Sequence, residues 1–134
     1  MVFKRAEVII DKPAAEVWAK IGNYVDVRWI PNTESSRLDG KLRYVKMKGA
    51  ASEVAQELLH HDDQARTYSY RLATKIDFGP DRTFTGLKAT IAVEPHGDTA
   101  AHVTFDVDTD EFLAGGVNRE YQSTLDKLKA AMEA

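Results

Sequence analysis

The spacing of apolar residues along the chain changes period several times, and each change marks an element. Val2 to Ile10 is rich in β-branched and aromatic residues and predicts a strand. Asp11-Lys12-Pro13 breaks it, and proline suits the first turn of a helix. Ala14 to Ile21 predicts that helix, with Val17, Trp18 and Ile21 three or four apart on one apolar face. Gly22-Asn23 reads as its C-cap pair. A second short helix is expected from Tyr24 to Trp29, stopped by Pro31.

From there to about residue 110, turn formers recur at intervals that suit hairpins. The strands expected are Glu34 to Leu38, Leu42 to Lys48, Ser52 to His60, Arg66 to Thr74, Thr83 to Glu94 and Ala100 to Thr109. The last alternates, with Ala101, Val103, Phe105 and Val107 on one face and His102, Thr104, Asp106 and Asp108 on the other. That is the signature of a sheet with one dry and one wet face. Gly115-Gly116 precedes a helix expected from Val117 to Met132. Its stripe of Val117, Tyr121, Leu125, Leu128 and Met132 needs a dry partner, and the sheet offers one. The pattern predicts an α+β chain: about seven antiparallel strands curved round a long C-terminal helix, with two short helices after the first strand. A sheet curled round one helix leaves room between them for a ligand.

Composition narrows the function. The chain has 134 residues, which predicts a single domain spanning 1–134. Its net charge is −3, from 18 basic and 21 acidic residues, so nothing draws it to nucleic acid. The absence of cysteine excludes disulfides, thiolate metal sites and a cysteine nucleophile. The N-terminal residues lack the apolar stretch of a signal peptide, and no apolar run approaches the roughly 20 residues that span a bilayer. A cytoplasmic protein without integral membrane association is expected, as a monomer or weak homodimer.

Several residues carry candidate chemistry. Glu57 is interleaved with apolar members of its strand, and its neighbours along the strand face, Ala55 and Leu59, are apolar. It either points inward, where ionising it is costly unless it is paired or hydrated, or faces water on an amphipathic strand. Tyr68 and Tyr70 share a strand face with Leu72, and buried hydroxyls need partners. Glu57, His60, His61, Asp62 and Asp63 form the one metal-like cluster, but adjacent histidines on a strand point to opposite faces, so a solvated turn is expected and no metal. No phosphate-cradling loop or dinucleotide fingerprint is present, and no cofactor is expected.

Ile10-Asp11-Lys12-Pro13-Ala14-Ala15-Glu16-Val17-Trp18 resembles the opening of SRPBCC proteins, also called START-like or helix-grip proteins. So does Trp29-Ile30-Pro31. Gly49-Ala50 to Glu57-Leu58-Leu59, with Asp62-Asp63 and Tyr68-Ser69-Tyr70-Arg71, resembles the family's glycine turn, inward glutamate strand and following hairpin. With the C-terminal helix, the resemblance covers nearly the whole chain. It implies the fold of pollen allergens, plant hormone receptors and bacterial polyketide cyclases, with a cavity for lipids, hormones or polyketides. The chain is most similar to small bacterial members labelled polyketide cyclase/dehydrase or lipid transport.

The resemblance places Glu57 on the cavity face, where the matching glutamate of the hormone receptors reaches ligand through water. The expected cavity wall is Trp29, Tyr44, Glu57 and Leu59 on the early segments, Tyr68, Tyr70 and Leu72 on the next strand, Leu87, Ala89 and Phe105 beyond it, and Tyr121 and Leu125 on the last helix. Aromatase-type cyclases of the superfamily carry tryptophan and arginine clusters after the first helices. Lys41-Leu42-Arg43-Tyr44 is the nearest counterpart here and has no tryptophan. The expectation is a binding or carrier protein for an apolar or amphipathic small molecule. The alternatives are a cofactor-independent cyclase, dehydratase or isomerase using Glu57 and Tyr70 as acid and base, and an interaction module whose cavity is filled by side chains.

Overall fold

A computed structural model describes all 134 residues. The elements run β1 (Val2–Ile10), α1 (Ala14–Ile21), β2 (Thr33–Asp39), β3 (Leu42–Met47), β4 (Val54–Asp62), β5 (Thr67–Leu72), β6 (Leu87–His96), β7 (Ala100–Thr109) and α2 (Glu111–Glu133). The strands form one antiparallel sheet in the order β1-β7-β6-β5-β4-β3-β2. The first strand thus joins the last, and β2 is left as the far edge. No helix is long and apolar enough to cross a membrane.

Strand pairing fixes which residues share a face. Ala6 lies opposite Phe105, which lies opposite Ile91, while Tyr70 lies opposite Ala89. Side chains alternate along a strand, so these and the buried Val93, Val103 and Val107 make one concave apolar face. The helix α2 packs on that face along β1 and β7, with Leu125 and Leu128 buried. Helix α1 closes one end against β6 and β7, burying Ala14, Val17, Trp18 and Ile21.

Gly22 follows α1 for a packing reason. Its backbone is right-handed (φ −78°, ψ −9°), not the left-handed turn expected of a glycine cap. A Cβ there would stand 2.4 Å from Cε2 of Trp18, so the absent side chain leaves room for the indole.

Three expectations need correction. Tyr24 to Trp29 is a chain of turns and not a helix. The Asn23 side chain accepts from the Val25 amide and the Asp26 side chain from the Arg28 amide, so short polar side chains replace the helical bonds. The strand expected from Thr83 begins at Leu87, because residues 73–86 form a long irregular connection whose Asp77 carboxylate accepts from the Gly79 amide. The last helix begins at Glu111, six residues before Val117, and takes Gly115 and Gly116 into its body. Asp110 starts it by accepting from the Leu113 and Ala114 amides through its backbone carbonyl. Its side chain binds Thr85, tying the 73–86 connection to the helix start.

Candidate functional site

Because α2 lies over β1 and β7, the concave surface of β3, β4 and β5 is not covered by it. A cavity of about 590 Å³ occupies that space. Its floor comes from β3, β4, β5 and β7 through Arg43, Val45, Gln56, Tyr70 and Phe105. One wall is α2, from Phe112 through Tyr121 to Lys127, and the other is the segment Val27 to Thr33. A larger groove of about 800 Å³ runs round the end of the sheet beneath the 73–86 connection, reaching Leu59, Arg71 and Lys88. The smaller cavity holds the unusual chemistry.

Its floor contains a buried cation. Arg43 is 1% exposed and fully enclosed within the α/β core. Its Nε donates to Oε1 of Gln56 at 2.8 Å, Nη2 donates to the same oxygen, and Nη1 donates to the backbone carbonyl of Tyr24. The guanidinium also lies 4.2 Å from the ring centre of Tyr24 and 4.9 Å from that of Tyr70. Desolvated cation–π contacts of this kind contribute about 2 kcal/mol. None of the ion pairs of the chain includes Arg43.

Tyrosines surround it. Tyr70 and Tyr121 hydroxyls lie 3.5 Å apart, and both line the cavity. Burial pushes the Tyr24 phenol up to about 12, with Arg43 opposing the rise. Burial likewise raises Tyr70, and it raises Tyr121 further, with Tyr70 adding to it. All three stay protonated at neutral pH and serve as hydrogen-bond donors. Tyr68 is also raised by burial, with Arg43 beside it opposing the rise.

The expected wall residues fall into three groups. Tyr70, Leu87, Phe105 and Tyr121 line the cavity together. Trp29, Tyr68, Ala89 and Leu125 are buried in the adjoining core but do not line it. Leu72 sits at the end of β5, against the outer groove. The third group is on the wrong face: Tyr44, Glu57 and Leu59 lie on the convex side. Tyr44 carries the Arg37 guanidinium 4.1 Å above its ring. Glu57 pairs with Leu42 and Arg71 in register, and its carboxylate accepts from Arg71 Nη2 at 2.7 Å. Leu59 falls at a bulge between Leu58 and His60 and is 43% exposed.

The inward polar residue of β4 is therefore Gln56, one position before the expected glutamate. Glu57 and Tyr70 stand on opposite faces of the sheet and do not form an acid–base pair. Arg43 was visible only as part of a run, and the signal that could have singled it out is charge placement: it is an arginine flanked by Leu42 and Tyr44 on a short strand. His60 pairs with Ser69 and His61 with Tyr68, so they point to opposite faces. His61 Nε2 contacts the Gly22 carbonyl at 2.9 Å, and Trp18 Nε1 donates to Asp63 at 3.0 Å, which ties α1 to the end of β4.

A sheet gripping one long helix over a cavity defines a helix-grip protein of the SRPBCC, START-like superfamily. Residues 3–133 match the family described as polyketide cyclase/dehydrase and lipid transport, and the chain belongs to that family. No functionally curated protein matches it. Among solved structures it is similar to an uncharacterized protein from Bacillus thuringiensis, with a TM-score of 0.84 at 20% identity, covering 99% of this chain and 100% of that one. It is similar to BexL, a di-domain ARO/CYC from the BE-7585A biosynthetic pathway, with a TM-score of 0.77 at 19% identity, covering 99% of this chain and 47% of that one. A START superfamily protein from Mycobacterium smegmatis has a TM-score of 0.67 at 12% identity, covering 98% and 94%. At these identities the likeness concerns the fold.

Proposed function

We propose that this protein binds and carries an apolar or amphipathic small molecule in the cavity between the concave sheet and α2. The observation that carries this reading is the 590 Å³ space itself, walled by apolar residues such as Val27, Ile30, Val45 and Phe105 and closed by a few polar groups at its floor. Its size falls within the range of about 300–1,000 Å³ usual for small-molecule sites. The family's description as lipid transport agrees with it.

Nile red, a neutral dye that brightens in apolar surroundings, tests the reading. Wild-type protein should take up one dye per chain. Val117→Trp, on the cavity wall, should abolish uptake while leaving the circular dichroism spectrum unchanged. A wild-type protein that takes up no dye has a cavity closed by its own side chains, and the reading fails.

A second reading is a cofactor-independent cyclase or dehydratase, supported by the cluster of Arg43, Tyr70 and Tyr121 and by the likeness to an ARO/CYC protein. In that case the phenols are the available proton donors, since the Glu57 carboxylate lies across the sheet. Turnover of a poly-β-ketone thioester that is lost in Tyr70→Phe separates this reading from simple carriage.

A further inference from the structure

The floor of the cavity holds one positive charge with no anion paired to it. A guanidinium has five N–H hydrogens and keeps its proton inside proteins. The three bonds made by Arg43 occupy the Nε hydrogen and one hydrogen on each Nη. The phenol oxygens of Tyr68 and Tyr70 lie beside the guanidinium as well, so every group around it is neutral. Gln56 spends Oε1 on the arginine, and its amide nitrogen makes no hydrogen bond, so it is a further donor. Tyr70 and Tyr121 supply two hydroxyls joined only by a long contact of 3.5 Å.

The charge count points the same way. The charged residues that line the cavity are Arg43, Glu120 and Lys127. The last two are exposed residues of α2, at the rim. Water screens them, and they offset each other. The charge left inside is that of Arg43. A buried cation without a counter-ion is costly, and cation–π contacts and a neutral amide offset that cost only in part.

We propose that the cavity's ligand is a monocarboxylate with an apolar tail, its head group drawn to the unpaired charge of Arg43 and accepting from the hydroxyls of Tyr70 and Tyr121. This rests on the binding role proposed above and names the class of ligand. One carboxylate charge balances the one guanidinium charge, and a carboxylate accepts the hydrogen bonds that the phenols donate. A dianion such as a phosphate monoester would leave a net negative charge in a desolvated site. A neutral alcohol or ester would leave the arginine uncompensated. The apolar walls above the floor, including Val45, Phe105 and Ile30, take the tail.

Displacement of Nile red by decanoate and by 1-decanol, which share a chain length and differ in the head group, tests this. Wild-type protein should release the dye at decanoate concentrations tenfold or more below those of decanol, the order expected for a charged hydrogen-bonded contact. Arg43→Met should erase that preference, weakening decanoate at least tenfold more than decanol. Should that variant not fold, the Tyr70→Phe/Tyr121→Phe double variant, which keeps the ring shapes, should weaken decanoate severalfold more than decanol. Equal displacement by the two compounds in wild type overturns the carboxylate assignment and leaves cavity binding standing. A decanoate preference that survives both sets of substitutions overturns the role given to Arg43 and its tyrosines. Failure of the wild type to take up Nile red overturns the binding role, and this inference with it.

Discussion

Phe105 on β7 and Tyr121 on α2 lie face to face, with ring centroids 3.6 Å apart and planes 13° from parallel. Their stack joins the helix to the sheet at the edge of the cavity, and both rings line it. Trp29 packs on the same phenylalanine from the adjoining core, 6.3 Å between ring centres. Leu125 and Leu128 pack the same helix on β1 and β7, so the stack is one of several contacts that hold α2 over the sheet.

The stack should show as coupling. Phe105→Leu and Tyr121→Leu, alone and together, form a double-mutant cycle. An interaction energy of about 0.5–1.5 kcal/mol beyond the separate losses is expected for an aromatic pair. Chemical denaturation of the four proteins measures it. Strictly additive losses would mean that the two rings are neighbours without mutual stabilisation.

Leu125 is fully buried beneath the same helix. Truncating it to alanine leaves a void that the packed β1 and β7 close only in part, so Leu125→Ala should cost about 2–5 kcal/mol. A urea midpoint that does not move would contradict the packing of α2 on the sheet.

Gly115 lies within α2, and a Cβ there meets nothing nearer than Nη1 of Arg119 at 3.5 Å. Glycine inside a helix costs close to 1 kcal/mol relative to alanine. Gly115→Ala should therefore raise the thermal midpoint by a few degrees. If the first turns of α2 open to admit ligand, the same change should slow dye uptake, read by stopped-flow fluorescence. A lowered midpoint would show that the helix does not extend through this residue.

Asp110 clasps the 73–86 connection through the Thr85 hydroxyl and amide, and those bonds hold its carboxyl below the usual carboxylate range. A carboxyl whose folded pKa is depressed stabilises the native state above its unfolded pKa, and that contribution is lost as pH falls through the folded value. The clasp should thus hold at neutral pH and release only below about pH 4. Amide exchange at residues 83–86 should accelerate there, and Thr85→Ala should move the Asp110 midpoint, followed at its carboxyl carbon by NMR, up toward the ordinary value. A midpoint indifferent to Thr85→Ala would count against the clasp.

Glu57 gives the contrasting case. Its ion pair with Arg71 is on the outer face, with the two side chains 33% and 51% exposed. Half-exposed pairs contribute between nothing and about 1 kcal/mol. Glu57→Gln should change stability by no more than that and leave dye and decanoate binding as they are. A tenfold loss of affinity would return Glu57 to the cavity side and reverse the register of β4.

Much of the fold was legible because it rests on periodicity and punctuation. The alternation of Ala101, Val103, Phe105 and Val107 gave the dry face of β7, and the stripe through Leu125 and Leu128 gave the buried side of α2. Turn formers separated the strands. The floor of the cavity was not legible. Val54-Ala55-Gln56-Glu57-Leu58-Leu59 has apolar residues at both parities and two polar ones side by side, so its pattern does not choose a face, and a shift of one residue exchanges the two. The resemblance chose glutamate; the pairing of Leu58 with Tyr70 chose glutamine.

On β3 hydrophobicity does not choose a face, since Leu42, Tyr44 and Lys46 share one and Arg43, Val45 and Met47 the other. The tertiary structure turns Arg43 inward, because a carbonyl of Tyr24, nineteen residues earlier, and the Gln56 side chain, thirteen residues later, meet its guanidinium. The helical start at Glu111 likewise needed the clasp from Asp110 to Thr85, twenty-five residues away. Sequence by itself determined the order of the strands and of the first and last helices, and the dry faces of β7 and α2, since these follow from the local period of the side chains. Where the charge of the cavity sits was decided only by tertiary structure, since burying a cation is tolerable only where distant groups converge on it.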